Sequence, residues 1–502
     1  MSFSRYNASM TSQTKLRTPH DYAPASGMCT VCTDDCPGPC EIGRSAVNGP
    51  EVLYPPQRAT SQAASEKDYP IDFSHFNING RCYGSFGSDT GQTGYTAANL
   101  TTTVGNGPDP IKLKAPYVFP AIAKLNWQGY YTGAALAGVI AVIGEDMPTT
   151  DPGAVIKQGR VVQLPQMKER LEAFYRYNEG YGALFLQANT DDERLGLLDY
   201  AIEELGLEAA ELKIGQGAKG VQMMGQLPSL EKALSMKEMG YDVYPDPEDP
   251  EVASAYQKGQ GAPFYKVGQN PEWEPESFAR RVETLRKKGA KYVSVKMGPY
   301  RPADIARTLL IASQAGVDMV TLDGAGGGTG NSPLRMMNEW GYPTVYLETI
   351  VRQVCEKMVG KKMHLPAVVM AGGFAFEDQV FKGLAMGAPH VKLIGLGRAP
   401  MAAAMVAETL AKSGDVTFSC LNELKGRFGE EALTLAPGGI GAYNYVQRVS
   451  TGVQQLMSLC RKYSLERIDR DDIVALTREA ADVTGIVHAV DLDLMEVEEL
   501  FR

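Results

Sequence analysis

Cys29, Cys32, Cys36 and Cys40 fall within twelve residues of MCTVCTDDCPGPC, with two, three and three residues between them. Four thiolates this close can enclose one metal or one cluster, and a single compact run suits a [4Fe-4S] cube better than structural zinc, whose sites more often pair C-x2-C units across a longer gap. Zinc, or cysteines without metal, are the alternatives, and Cys82 is a further candidate ligand. Cys355, Cys420 and Cys460 lie in helical patterns and read as small packing residues. A second group of residues is rich in glycine. TLDGAGGGTGNSP (321–333) places five glycines in seven positions after an apolar run, and MAGGFAFED (370–378) and IGLGRAP (394–400) repeat the theme. Bare backbone of this kind reaches positive φ and brings N–H groups close to an anion or a flat ring. A flexible surface loop is the alternative. The order does not fit the dinucleotide fingerprint G-x-G-x-x-G. Lys296, inside VSVKM, is a cation at the end of an apolar run, costly to bury unless it meets an anion or an electron-rich ring, or unless it snorkels to the surface.

These residues need elements to hold them, and the chain supplies a regular series from about residue 115. Short apolar segments occur at 117–123, 138–144, 182–187, 210–215, 291–297, 317–323, 365–372 and 390–397. Amphipathic runs lie between most of them, including 167–178, 192–206, 275–289 and 377–387, with apolar positions three and four apart. Strand and helix alternating at this density predict a parallel sheet. Eight units fit an α/β fold of the TIM (β/α)8 barrel type, with a doubly wound sheet as runner-up because the second strand and its helix are poorly defined. The gap between the fourth and fifth strands, 216–290, predicts an insertion. The expected organisation is an irregular extension with the cysteines over 1–110, the barrel over 111–415 and a helical segment over 416–502. In a barrel, all three glycine runs sit at the carboxyl ends of strands, where such folds build their sites. The last two such loops commonly cradle a phosphate, and Gly372, Gly373, Gly395, Gly397 and Arg398 are the natural donors.

Taken in order, KIGQGAK with GQLP (213–219, 225–228), VSVKM, DGAGGGTGNSP, AGGFAFEDQVFKGLAMGA and GLGRAP resemble the FMN-binding synthase domain of glutamate synthases, and 400–485 resembles the helical end of its shorter, archaeal-type members. The resemblance implies a barrel carrying FMN that takes electrons through an iron–sulfur centre and passes a hydride to 2-iminoglutarate, made from 2-oxoglutarate and ammonia. It implies that Lys296 lies beside the flavin, that Asp323, Gly324, Gly327, Gly328 and Thr329 line the cofactor, and that the 372–373 and 395–397 glycines hold its phosphate. It further implies that Lys213, Gln216 and Lys219 stand at the active site with Glu145 of IGED. For Glu145 an exposed loop carboxylate beside Asp146 is the alternative.

The departures from that family are specific. Where its large members carry three cysteines after the eighth strand, this chain reads MAAAMVAETLAKSGD, and where they have an Asp before Gly-Gly-Thr-Gly it has Gly326. The first cysteine is Cys29, so the amino-terminal nucleophile of a glutaminase is missing and ammonia is expected free or from a separate subunit. The clustered cysteines would then replace the electron entry point, fed by ferredoxin or another donor subunit in an oligomeric assembly. A related amine or N-methylglutamate synthase, another 2-oxoacid oxidoreductase, or a non-catalytic electron-relay subunit are the other readings. A net charge of −10 argues against nucleic acid as the partner. The longest apolar stretch, 134–143, is too short to span a bilayer, so no membrane insertion and a cytoplasmic location are expected.

Overall fold

A computed structural model describes residues 69–88, 92–122, 126–215, 224–270, 273–325, 327, 336, 339–414 and 417–502. Eight strands, β1 (Tyr117–Ile122), β2 (Ile140–Ile143), β3 (Leu184–Ala188), β4 (Ala209–Ile214), β5 (Tyr292–Met297), β6 (Met319–Asp323), β7 (Ala367–Ala371) and β8 (Val391–Gly395), close into a barrel. Each pairs in parallel with its neighbour in sequence, and β8 returns to β1. Buried on both faces, these strands read as continuous Val, Ile, Leu and Met runs. The TIM barrel is thus the fold, and the doubly wound alternative is set aside: β2, though only four residues long, completes the ring between β1 and β3.

The interior is layered. Towards the amino ends of the strands, Ile140, Phe185, Ala209, Met319, Ala367 and Leu393 form one apolar cluster with Val104, Ile111 and Leu113. The last three come from an antiparallel hairpin, Thr102–Val104 with Ile111–Leu113, which plugs the bottom of the barrel. Its turn is fastened there by Asn106, whose amide N–H donates to Asp318 at 3.0 Å and whose Nδ2 donates to the Val317 carbonyl at 2.9 Å. Above this plug the inward positions turn polar: Gln187, Glu211 and Ser294, then Thr321, Lys213, Lys296 and Asp323, all buried. A closed bottom and a charged upper layer restrict access to the carboxyl ends of the strands.

Helices α1 (Trp127–Ala137), α2 (Pro165–Tyr175), α3 (Leu197–Glu203), α4 (Pro275–Lys288), α5 (Pro302–Gln314), α6 (Thr344–Gly360), α7 (Glu377–Gly387) and α8 (Arg398–Ser413) follow the strands in turn. The run 192–206, read as one helix, is two: Thr190–Arg194 ends before Gly196, whose φ of 70° breaks the path to α3. The insertion after β4 is a three-stranded antiparallel sheet, Met224–Leu227 and Asp242–Tyr244 flanking Phe264–Val267, with helices Leu230–Glu238 and Pro250–Gln257. Beyond the barrel, α9 (Pro437–Leu459) crosses α1 closely enough that a Cβ on Gly133 would lie 2.4 Å from that of Ala442. The short strand Phe76–Ile78 pairs with Ile473–Ala475, tying the start of the described chain to its helical end. Among the described residues no helix is long and apolar enough to cross a membrane.

Candidate active site at the barrel mouth

Lys296 ends β5 with its ammonium 3.2 Å from Asp323 Oδ2 at the end of β6, and both side chains are buried. One layer down, Glu211 accepts from Gln187 Nε2 at 2.6 Å and from Ser294 Oγ at 2.8 Å. Burial by itself would strip the proton from Lys296, but Asp323 and Glu211 outweigh it and hold the lysine pKa above its ordinary value. For Glu211 the order is reversed: burial lifts its pKa, against the pull of Lys296 and of its two hydrogen-bond donors. Lys296 is therefore an interior cation. The surface-snorkelling reading fails because the strand register points the side chain into the ring beside Lys213 and Thr321. Thr321 Oγ1, buried in the same layer, has no hydrogen-bond partner among the described residues.

Lys213, at the end of β4, is ion-paired with Glu145, which follows β2. Its own carbonyl accepts from Trp273 Nε1 at 2.9 Å. Glu145 is thus not a free loop carboxylate but a partly buried partner of Lys213. The residue after it, Asp146, accepts from Asn189 Nδ2 at 3.1 Å and from Lys266 Nζ at 3.0 Å, while its backbone N–H donates to Asp192 Oδ2 at 2.9 Å. Burial works to raise the Asp146 pKa, but Lys266, Asn189 and Lys213 prevail and hold it below the usual carboxylate range. Asp192, wholly buried with Oδ1 unpartnered among the described residues, goes the other way: burial first, then the neighbouring Asp146, push it well above that range. Sequence reading missed Lys266, Asn189 and Asp192. The usable signal was NTDDER directly after β3, which puts an acidic pair at a strand's carboxyl end.

Gly372 and Gly373 after β7 have φ of 116° and 104°. A Cβ on Gly372 would lie 2.6 Å from the Gly324 nitrogen and 2.8 Å from Thr344 Oγ1, so the turns after β6 and β7 touch through bare backbone. Gly395 is enclosed, with Ala371 2.7 Å from where its Cβ would be, whereas a Cβ on Gly397 would meet nothing within 4 Å. Gly397 opens the sixteen-residue α8 with no side-chain cap. Arg398 is exposed at the first position of that helix. The amides of Ala375 and Phe376, by contrast, are taken by Gln379 Oε1. The C-terminal helix steadies this rim: Tyr445 donates to the Ala375 carbonyl and Arg448 pairs with Glu377. Gly324 and Gly327 are described, with Gly327 donating to the Gly324 carbonyl at 2.8 Å.

Gln216, Lys219, Gly326, Gly328, Thr329, Cys29, Cys32, Cys36 and Cys40 lie outside the described residues. Cys82 is exposed, Cys355, Cys420 and Cys460 are buried, and no metal-binding group of His, Cys, Asp and Glu occurs among the described residues.

A closed parallel barrel with paired lysines and carboxylates at its mouth and glycine turns after its last strands defines a (β/α)8 barrel with its candidate site at the carboxyl rim. Residues 266–409, which include Lys296, Asp323 and both last glycine turns, match the family model for a conserved region in glutamate synthase. The glutamate synthase large subunit-like protein of Rhizobium meliloti (strain 1021) is 26% identical over 306 residues, covering 56% of this chain and 62% of that protein. The chain therefore spans less than two thirds of this curated relative. The resemblance to glutamate synthases read from the barrel-end motifs is borne out by both matches. Similar solved structures include a flavocytochrome b2 mutant with pyruvate bound, at a TM-score of 0.46 and 14% identity over 85% of this chain and 81% of that one. Another is a soluble mutant of the membrane-associated (S)-mandelate dehydrogenase from Pseudomonas putida, at a TM-score of 0.44 and 13% identity over 80% and 88% of the two chains.

Proposed function

We propose that the barrel mouth holds FMN and that the protein is a flavin oxidoreductase of glutamate synthase type, reductively aminating 2-oxoglutarate to glutamate. The observation that carries this is the buried Lys296–Asp323 pair beneath the touching glycine turns 324 and 372–373. The residues present fit the group. The open, uncapped start of α8 at Gly397 and the positive-φ turn at 372–373 offer backbone amides to a phosphate, and Thr321 Oγ1 and Lys296 offer a polar floor to a ring. FMN, when bound, supplies a hydride to a carbon–nitrogen double bond.

The chain's own residues do the rest. Lys296 stays protonated and offsets negative charge at the inner wall. Lys213 offers an ammonium to an anionic 2-oxoacid, and Glu145 holds a carboxylate where a proton can be given or taken at Lys213 Nζ or at an incoming nitrogen. The plug at the bottom of the barrel and the apolar cluster above it exclude water from below. Cys29, Cys32, Cys36 and Cys40 are assigned an iron–sulfur cluster on their spacing, with ferredoxin or another donor subunit supplying electrons and ammonia arriving free or from a partner glutaminase. A cytoplasmic oligomer is part of the same reading.

The test is an anaerobic visible spectrum with flavin and iron counted per chain, followed by turnover of 2-oxoglutarate and ammonia with a low-potential donor. Flavin bands and glutamate formation are expected. Colourless protein with no extractable FMN refutes the cofactor, and flavoprotein that turns over only with another 2-oxoacid or amine refutes the substrate.

A further inference from the structure

The turn that presents Glu145 is strained, and the groups that hold it come from two other parts of the chain. Asp146 sits at φ 64° and ψ 26°, a left-handed conformation that a non-glycine residue rarely holds unless its surroundings enforce it. Its side chain bonds Lys266, on the central strand of the insertion, and Asn189, after β3; its N–H bonds Asp192. Asp192 is itself fixed, its N–H donating to Asn189 Oδ1 at 2.9 Å and its Oδ2 accepting from the Asn189 N–H at 3.3 Å. Lys266 is pre-placed by the insertion, its ammonium 4.4 Å from the ring centre of the buried Tyr241.

We propose that Lys266 is a positioning residue that reaches from the insertion to the barrel rim, clamps Asp146 in its left-handed turn and so sets Glu145 against Lys213; this rests on the function proposed above only for the identity of the reaction. Removing its charge takes from Asp146 a hydrogen-bond donor and the larger of the two cationic influences that favour its ionised form, and leaves Lys213 as the other. The ionisable groups facing Asp146 are Lys266 and Tyr241 from the insertion, Asp191 and Asp192 after β3, Lys213 of β4 and Glu145 beside it. The turn then relaxes and Glu145 loses its fixed aim.

The test uses the full chain and two readouts. In hydrogen–deuterium exchange without substrate, Lys266→Met speeds exchange of the Asp146 amide by about ten-fold or more, and Lys266→Arg restores protection. In steady-state turnover of 2-oxoglutarate with ammonia, Lys266→Met lowers kcat by about ten-fold and shifts its pH profile, whereas Lys266→Met combined with Glu145→Gln is no worse than Glu145→Gln alone, because the two act through one group. Should Lys266→Met fail to fold, Lys266→Gln is read the same way. Unchanged exchange at Asp146, failure of arginine to restore it, or single-variant effects that multiply overturn the inference. Wild-type protein without turnover refutes the reaction, and the exchange experiment still decides the role of Lys266.

Discussion

Replacing Lys296 by methionine keeps most of the side-chain volume and removes the cation with which Asp323 pairs among the described residues. The two charges are 3.2 Å apart with side chains 10% and 8% exposed. At an effective dielectric constant of about 20 their attraction is about 5 kcal/mol, much of it offset by the cost of drying both ions. Deleting one partner forfeits the attraction and strands the other charge, so Lys296→Met is expected to lose about 3–5 kcal/mol in a urea titration near pH 7. The pH dependence follows from the sign of each shift. In the wild type the raised lysine pKa contributes stability that is complete below the unfolded lysine value and is lost only as pH climbs through the folded one. In the variant, Glu211, whose pKa burial already lifts, loses the opposing pull of Lys296 and binds its proton more tightly still. Its contribution is then complete below the ordinary carboxylate pKa and lost as pH rises through the folded one, so the deficit is small in mild acid and larger at neutral pH. Adding Asp323→Asn removes the stranded charge and should recover most of the loss. A single variant within about 1 kcal/mol of wild type at neutral pH, or a double variant no more stable than the single, would refute the interior ion pair as the organising feature of this site.

Glu348 on α6 is fully buried with neither carboxylate oxygen hydrogen-bonded among the described residues, and burial holds its pKa well above the usual range despite Arg470. Glu348→Gln should therefore stabilise by about 1 kcal/mol or more in mild base and by nothing in mild acid, as urea midpoints at two pH values will show. Gly372→Ala puts a Cβ against Gly324 and Thr344 at a φ of 116°, and should cost roughly 1–3 kcal/mol and release flavin on gel filtration. Gly397→Ala, in open space at a negative φ, should leave the urea midpoint unchanged while weakening flavin retention. Serine at Cys29, Cys32, Cys36 and Cys40 together should remove iron and leave flavin content intact, by elemental and spectral counts.

The eight barrel strands were legible because a parallel strand buried on both faces cannot alternate, and runs such as AVVMA and MVTL have no other use for so many apolar residues. The break at Gly196 was not, since Leu195, Leu197 and Leu198 on either side are all buried and the apolar spacing runs straight through it. The insertion's strands and those at 76–78, 102–104 and 111–113 are three or four residues long, too short for a period to show. Of the site, Lys296 and the glycine turns could be read from their place at strand ends. The Lys296–Asp323 and Glu145–Lys213 pairings could not, because they depend on register and on which strand follows which around the ring. The polar layer did leave a trace: Gln187 in LFLQA, Glu211 in AAELKI and Ser294 in YVSVKM are polar residues in mostly apolar strands, and each is an inward position.

That register also explains why the mouth needs so many carboxylates. Lys213 and Lys296 stand directly opposite each other on β4 and β5, strands about 4.8 Å apart, and two ammonium groups left side by side would repel. The fold separates them by drawing each away from the other: Lys296 leans to Asp323 on β6, Lys213 leans to Glu145 after β2, and Glu211 lies beneath the gap with hydrogen bonds that leave its charge facing both. The gap between the two lysines lies at the carboxyl end of the barrel, the end from which the cofactor and 2-oxoacid proposed above would enter. Glu145 is the adjustable member of this set, because it alone sits on a turn instead of a strand, and its turn is held by Lys266 from the insertion. The barrel therefore fixes the cations, and the insertion sets how firmly one of them is restrained.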